Sequence, residues 1–306
     1  MRVGFIGLGT MGGSMALNAA AAGHEMIVYD LRRETGERHV KAGARWADSV
    51  EDVARHADVV LTSLPGPREV EAVAASLIPT MRSGTAWFDL STNSPTVVRQ
   101  LHRRCVERGV AMLDAPVSGG PAGARSRKLA LWVGGEREVF DRYRAILDAI
   151  GDKVIHIGDI GAGSIAKLVH NAAGYAMQLA LVEVFSTGVK AGVPPISLWA
   201  AIRQGSLGRQ RSFDRLGERF LLGEYDPANF ALGLGHKDMS LATELGREFG
   251  VPMRMINIAH AEMTEALNRG WAGRDARSYL LLQQERAGLD IHVPPEQIQD
   301  VLERDD

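Results

Sequence analysis

From residue 1 to about residue 157 the hydrophobic positions fall in short dense runs: "RVGFIG", "EMIVYD", "DVVLTSL", "TAWFDL", "VAMLDAP", "LALWVGG" and "KVIHIG". Helix-like segments separate them, and this alternation predicts a mostly parallel sheet covered by helices. Past Gly163 the texture changes. Residues 164–191, "SIAKLVHNAAGYAMQLALVEVFSTGVKA", run without proline until "GVPP", which predicts one helix about 40 Å long at about 1.5 Å per residue. The remainder reads as helices interrupted by "QGSLG", "LGEYDPANF", "REFGVP" and "NRGWAGRD". The pattern therefore predicts an α/β domain over residues 1–161 and an all-α domain over residues 162–306. The acidic end "ERDD" reads as a solvated tail, and no repeat or low-complexity tract interrupts the scheme.

The first strand run leads into the first chemistry. Gly7, Gly9 and Gly12 stand in GxGxxG spacing between "RVGFI" and an alanine-rich helical segment. A glycine at the turn, one where a pyrophosphate meets the backbone and one where helix and strand pack closely make a dinucleotide cradle at a helix N-terminus. Leu8, Thr10 and Met11 complete that loop, and the N-terminal domain is expected to be of Rossmann type. Asp30 ends the second strand run, where a carboxylate accepts hydrogen bonds from the adenosine ribose and repels a 2'-phosphate; this favours NAD. Arg32 and Arg33 follow directly and could instead hold that phosphate, so NADP stays open.

Charge narrows the partners. The 306 residues are 45% hydrophobic and 24% charged with a formal net charge of -2, which leaves no global basic field for nucleic acid or an anionic membrane. Cys105 has no second cysteine with which to form a disulfide or a thiolate metal site, so an inert thiol in a reducing, cytoplasmic setting is expected. There is no basic leader and no apolar run of about 18 residues, and neither export nor membrane spanning is expected. His170, His236 and His260 form no HExxH or CxxC-type arrangement, so no metal is expected.

Lys167 and Asn171 lie one helical turn apart in "GAGSIAKLVHN". On one face of a helix lining a cleft, an amine whose pKa is lowered by desolvation can carry a hydroxyl proton, with the amide orienting it; the alternative is a lysine that reaches solvent beside a surface asparagine. In "VSGG", Ser118, Gly119 and Gly120 offer a hydroxyl and uncovered N–H groups to a carboxylate, or else form a simple turn.

Four stretches in order, "GLGTMG", "DAPVSGGPAGA", "GAGSIAKLVHN" and "HKDMSLA", resemble the β-hydroxyacid dehydrogenases, the family of 3-hydroxyisobutyrate dehydrogenase and tartronate semialdehyde reductase. The resemblance implies a Rossmann-type domain followed by a helical domain for substrate and oligomerisation, and NAD(P)-linked oxidation of small 3-hydroxyacids, or reduction of their semialdehydes, in homodimers or homotetramers. It implies that Lys167 is catalytic with Asn171, and that Ser118, Gly119 and Gly120 hold the substrate carboxylate. Leu64, Pro65 and Thr92 would border the nicotinamide, Glu69 would touch the cofactor, and Lys237 would reach towards cofactor and substrate; Asp238 is expected only to order the start of its helix.

Two departures stand out. Arg127 and Lys128 occupy positions where the family usually has glycine and threonine, forming either a basic cluster for a second anionic group or a solvated loop. "KLVHNAAGYAMQ" is also similar to 6-phosphogluconate dehydrogenase, but Gly174 replaces the glutamate that serves there as an acid after decarboxylation, so simple dehydrogenation is expected. An NADPH-dependent glyoxylate or succinic semialdehyde reductase and a non-catalytic cofactor-binding module remain the competing readings.

Overall fold

The computed structural model describes residues 1–168, 170, 188, 190–193, 201–202, 205–207, 219–228, 231–233, 235–236, 239, 243, 247, 250–286, 288, 290 and 292–303. The chain divides into two compact units, Met1–Ala172 and Ala173–Asp306. The division lies 11 residues beyond the expected boundary at residue 161, and the N–H groups of Gly161 and Ser164 are bonded to Asp114 of the first unit.

In the first unit the strands are β1 (Arg2–Ile6), β2 (Glu25–Tyr29), β3 (Arg45–Trp46), β4 (Val59–Thr62), β5 (Ala86–Asp89), β6 (Ala111–Asp114), β7 (Val117–Ser118), β8 (Ala130–Gly134) and β9 (Lys153–Gly158). The helices are α1 (Gly12–Ala21), α2 (Glu37–Lys41), α3 (Val50–His56), α4 (Pro67–Thr80), α5 (Pro95–Val106), α6 (Gly120–Ser126) and α7 (Arg137–Asp148). All seven apolar runs form strands. The two short ones, β3 and β7, have too few residues to leave a periodic signal.

Strands β3-β2-β1-β4-β5-β6 are parallel neighbours in that order, β8 runs antiparallel to β6 and β7, and β9 pairs parallel with β8. Helices cover both faces, so β4 and β5 are buried at every position, as parallel strands between two helical layers must be. Successive residues feed opposite cores: Phe5, Met15, Phe88 and Tyr143 belong to one cluster, Ile6, Ile27, Trp87 and Leu101 to the other. Local signals set the helix starts, with proline in the first turn of α4 and α5 and the Ser49 hydroxyl accepting the Asp52 N–H at the start of α3. Cys105 lies within the second core, and burial pushes its thiol up to about 12.

The strand order reverses between β1 and β4, and the carboxyl ends of Ile6, Thr62, Asp89 and Asp114 stand in register across this edge. Open parallel sheets bind ligands in the crevice at such a point.

The second unit is helical over Arg254–Asn268, Leu280–Arg286 and Pro295–Glu303, with a 3₁₀ turn at Ala276–Tyr279. Leu232, Ala266 and Leu282 form its described core. Nearly all of the long helix expected over 164–191 lies outside the described residues; its first stretch, 162–168, is helical.

Candidate active site

The GxGxxG loop connects β1 to α1. Gly7 has φ of +94°, and a Cβ there would lie 2.3 Å from the Ser63 carbonyl oxygen; at Gly12 it would lie 2.0 Å from the Gly7 carbonyl oxygen. These two glycines are required by the fold itself. At Gly9 a Cβ would meet nothing within 4 Å, so the side of the loop at the start of α1 is open. Backbone next to a helix N-terminus with open space before it is the environment a pyrophosphate needs, and the residues present fit a dinucleotide.

Leu8, Gly9 and Thr10 also line a cavity of about 550 Å³ whose charged walls are Arg32, Arg38, Lys41 and Arg125 against Glu34 and Glu37. Four basic and two acidic groups make it electropositive. Arg32 therefore shares a cavity with the glycine loop, while Arg33 faces Asp48 and the ring of Trp46. Asp30 accepts the Leu8 N–H at 2.8 Å with Oδ2 and the Arg32 N–H at 2.9 Å with Oδ1. It thus ties the glycine loop to the turn after β2.

The next crevice wall is built around Asp89, fully buried at the end of β5. Its carboxylate accepts from the Thr62 hydroxyl at 2.9 Å, the Asn93 amide at 2.9 Å and the Ser91 N–H at 3.1 Å, and Trp87 Nε1 donates to Thr62. Burial raises its pKa, against the pull of those donors. The Ser91 hydroxyl in turn accepts the Leu64 N–H at 2.9 Å. This network fixes two loops at once: 63–65, with Leu64 and Pro65, and 90–93, with half-buried Thr92. Glu69 is exposed in the first turn of α4. The sequence reading passed over Asp89; its available signal was a carboxylate closing the apolar run "TAWFD".

Ser118, Gly119 and Gly120 form the turn from β7 into α6, with φ of +131° and +61° at the two glycines. Such left-handed geometry exposes successive N–H groups, as an anion nest requires. Lys167 lies on the helix covering 162–168. One face of that helix is Gly163, Lys167 and His170: Gly163 packs on the Trp132 carbonyl and Pro116, and the His170 ring lies 5.2 Å from the Trp132 ring. Lys167 lies between them on the same stripe; it is half-buried, and desolvation lowers its pKa.

Asn171, Gly174, Lys237 and Asp238 lie outside the described residues. Arg127 closes α6 in the left-handed conformation, φ 62°, and its Nε donates to the Ala149 carbonyl at 3.1 Å. The glycine usual at this position suits the same backbone. Among the described residues no cluster of His, Cys, Asp and Glu could hold a metal, and no helix is long and apolar enough to cross a membrane.

Comparison with known proteins decides the relationship. Residues 2–158 match the family model for the NAD binding domain of 6-phosphogluconate dehydrogenase, and residues 161–283 match that for the NAD-binding segment of NADP-dependent 3-hydroxyisobutyrate dehydrogenase. The chain belongs to the β-hydroxyacid dehydrogenase family. It is 31% identical to 2-(hydroxymethyl)glutarate dehydrogenase of Eubacterium barkeri, over 95% of this chain and 97% of that one. It is 33% identical to the NAD-dependent L-serine dehydrogenase of Pseudomonas aeruginosa, over 90% and 95% of the two chains. Among solved structures, the 3-hydroxyisobutyrate dehydrogenase of Mycobacterium tuberculosis with L-serine is similar at a TM-score of 0.65 and 27% identity, covering 92% of this chain and 99% of that one. The expected fold class, a Rossmann-type domain followed by a helical one, and the expected NAD(P)-dependent hydroxyacid oxidoreductase activity both agree with these relatives.

Proposed function

We propose that this β-hydroxyacid dehydrogenase transfers a hydride between NAD(P) and a small 3-hydroxyacid or its semialdehyde, with Lys167 carrying the hydroxyl proton. The observation that carries this reading is a half-buried amine, its pKa lowered by desolvation, on a helix stripe that packs through Gly163 and His170 against Trp132 of β8, the strand paired with Ser118. When bound at the glycine loop, the nicotinamide cofactor supplies the two-electron acceptor. The protein's part is positioning and proton movement. Ser118 and the N–H groups of Gly119 and Gly120 grip the substrate carboxylate, so that the hydroxyl three bonds away is presented to Lys167. The neutral amine takes the O–H proton at Nζ as the carbonyl forms, and the ammonium returns it in the reductive direction. Leu64, Pro65 and Thr92, held by the Asp89 network, exclude water on the nicotinamide side, and the family resemblance assigns Asn171 and Lys237, which lie outside the described residues, to the substrate.

The adenosine pocket supports a second, finer reading. Asp30 beside the ribose favours NAD, and the basic rim of Arg32, Arg38, Lys41 and Arg125 keeps NADP usable. A homodimer or homotetramer in the cytoplasm is the expected state, checked by sedimentation at micromolar concentration.

The decisive experiment is a pair of variants. Lys167→Ala should lower kcat by about 10² to 10⁴, the usual loss of a general acid or base, with NAD affinity retained. Lys167→Arg keeps a cation that cannot release its proton near neutral pH and should be almost as inactive. Near-normal turnover of the arginine variant would refute the proton role.

A further inference from the structure

The helix that carries Lys167 is seated on a single buried carboxylate. Asp114, at the end of β6 and 1% exposed, accepts the Gly161 N–H at 2.7 Å with Oδ1 and the Ser164 N–H at 2.6 Å with Oδ2. Gly161 flanks the helix and Ser164 lies in its first turn, whose N–H groups have no intrahelical acceptor. The seat has no slack. A Cβ on Gly163 would lie 2.3 Å from the Trp132 carbonyl and 2.8 Å from the Asp114 carbonyl, and one on Gly134 would lie 2.5 Å from Asp114 Oδ1. Glycine at both positions lets the helix end approach two strands at backbone distance.

The same strand run leads from Asp114 through Ala115 and Pro116 to Val117 and Ser118, with the Pro116 carbonyl accepting the Trp132 N–H. Asp114 thus stands where the chain holding the carboxylate turn, 118–120, grips the helix holding Lys167. Lys167 follows Ser164 by three residues, about 4.5 Å along the helix axis. Among the described residues the charged neighbours include Asp89, Asp159 and Arg99, whose Nε donates to the Ile160 carbonyl at 3.3 Å and whose guanidinium lies against Gly161. Asp89 is the register partner of Asp114 on β5 and is occupied by its own donors, and Asp159 contributes its carbonyl at Gly134 while remaining exposed. Among the described residues no basic side chain is hydrogen-bonded to Asp114. Burial raises its pKa, opposed by the two backbone N–H groups.

We infer that Asp114 is a positioning residue for the hydride-transfer reaction: its carboxylate sets the helix bearing Lys167 at a fixed place relative to the substrate-carboxylate turn and places a negative charge at that helix N-terminus. This rests on the reading of Lys167 as proton carrier. Two consequences follow, one geometric and one electrostatic. Lengthening the side chain displaces the helix, and neutralising it leaves the positive end of the helix uncompensated beside the ammonium.

The test uses the full-length protein with Asp114→Asn and Asp114→Glu, each checked by circular dichroism. Lys167 is titrated directly, from the pH dependence of its modification by trinitrobenzenesulfonate located by peptide mapping, alongside kcat, KM and calorimetric NAD affinity. Asp114→Asn should move the Lys167 midpoint to lower pH and cut kcat at least about tenfold, with NAD affinity within about twofold. Asp114→Glu keeps the charge and should lower kcat without moving the midpoint, and it carries the test alone if the asparagine variant does not fold. A shifted midpoint with unchanged kcat would uphold the positioning of Lys167 and refute its role as proton carrier instead. A folded Asp114→Asn protein with the midpoint and kcat of the parent, or a folded Asp114→Glu protein with parental kcat, would overturn the inference, because a merely structural cap would leave both readouts alone.

Discussion

Gly9 and Gly12 share one loop, and replacing each should produce opposite phenotypes. Gly9 lies outside the positive-φ region and a Cβ there meets nothing within 4 Å, so Gly9→Val should leave stability within about 0.5 kcal/mol of the parent. The isopropyl group would instead occupy the open side of the loop, where a pyrophosphate must meet backbone N–H groups. Losing two charge-assisted hydrogen bonds at about 1.5–3 kcal/mol each removes about 3–6 kcal/mol, a weakening of about 10² to 10⁴ in NAD affinity. At Gly12 the new Cβ would lie 2.0 Å from the Gly7 carbonyl oxygen and must retreat to beyond 3.0 Å. The start of α1 has to move by about that difference against packed backbone, an overpacking cost of about 1–3 kcal/mol. For a unit of this size, about 2 kcal/mol corresponds to a fall in Tm of about 4–8 °C. Calorimetric titration with NAD and thermal unfolding, run on both variants, read the two effects separately. A Gly9→Val protein that binds NAD within threefold of the parent, or that melts well below it, would refute the placement of the pyrophosphate at this loop.

The remaining predictions address coenzyme choice, pH and the basic turn. Catalytic efficiency should be higher with NAD than with NADP; Asp30→Ala should narrow the gap and Arg38→Ala with Lys41→Ala should widen it, and a parent enzyme that prefers NADP would contradict the role given to Asp30. Because desolvation places the Lys167 pKa below its ordinary value, alcohol oxidation should rise with pH through that lowered pKa as the ammonium loses its proton, and Lys167→Ala should abolish this limb. Arg127→Gly relieves a left-handed φ and gives up the bond to the Ala149 carbonyl, so stability should change by less than about 1 kcal/mol. The ratio of kcat/KM for a dicarboxylate over a monocarboxylate substrate should not move; a fall of tenfold would return Arg127 to the substrate site.

Much of the cofactor end could be read from the residues because its requirements are local. Gly7 needs a positive φ, Gly12 a missing Cβ and Asp30 a place at a strand end, and each constraint acts within a few residues of the motif that displays it. Lys167 was legible for a related reason, since its four-residue spacing from Asn171 and its place in an apolar helix are properties of sequence. Asp89 and Asp114 were not legible. In the sequence each is one carboxylate after an apolar strand run. Only the parallel pairing of β5 with β6 makes them neighbours, and only folding brings residues 161 and 164 to Asp114.

The same distinction governs the basic residues. Arg32 and Arg33 are adjacent in sequence and equivalent by composition, yet one lines the cavity beside the glycine loop with Arg38, Lys41 and Arg125 while the other lies over Trp46. Arg127 and Lys128 were open to two readings by their charge, an anion site or a solvated loop, and only the fold shows that the Arg127 Nε donates to a backbone carbonyl 22 positions along the chain. By itself, then, the sequence determined the alternation that builds a doubly covered parallel sheet, the glycine cradle and the residue types for proton transfer, because period, conformational freedom and acid-base character are carried by single residues and short spacings. The tertiary structure alone decided which buried carboxylates support those residues and which cations gather around the cavity beside the glycine loop, since both depend on contacts between segments that only the strand order brings together.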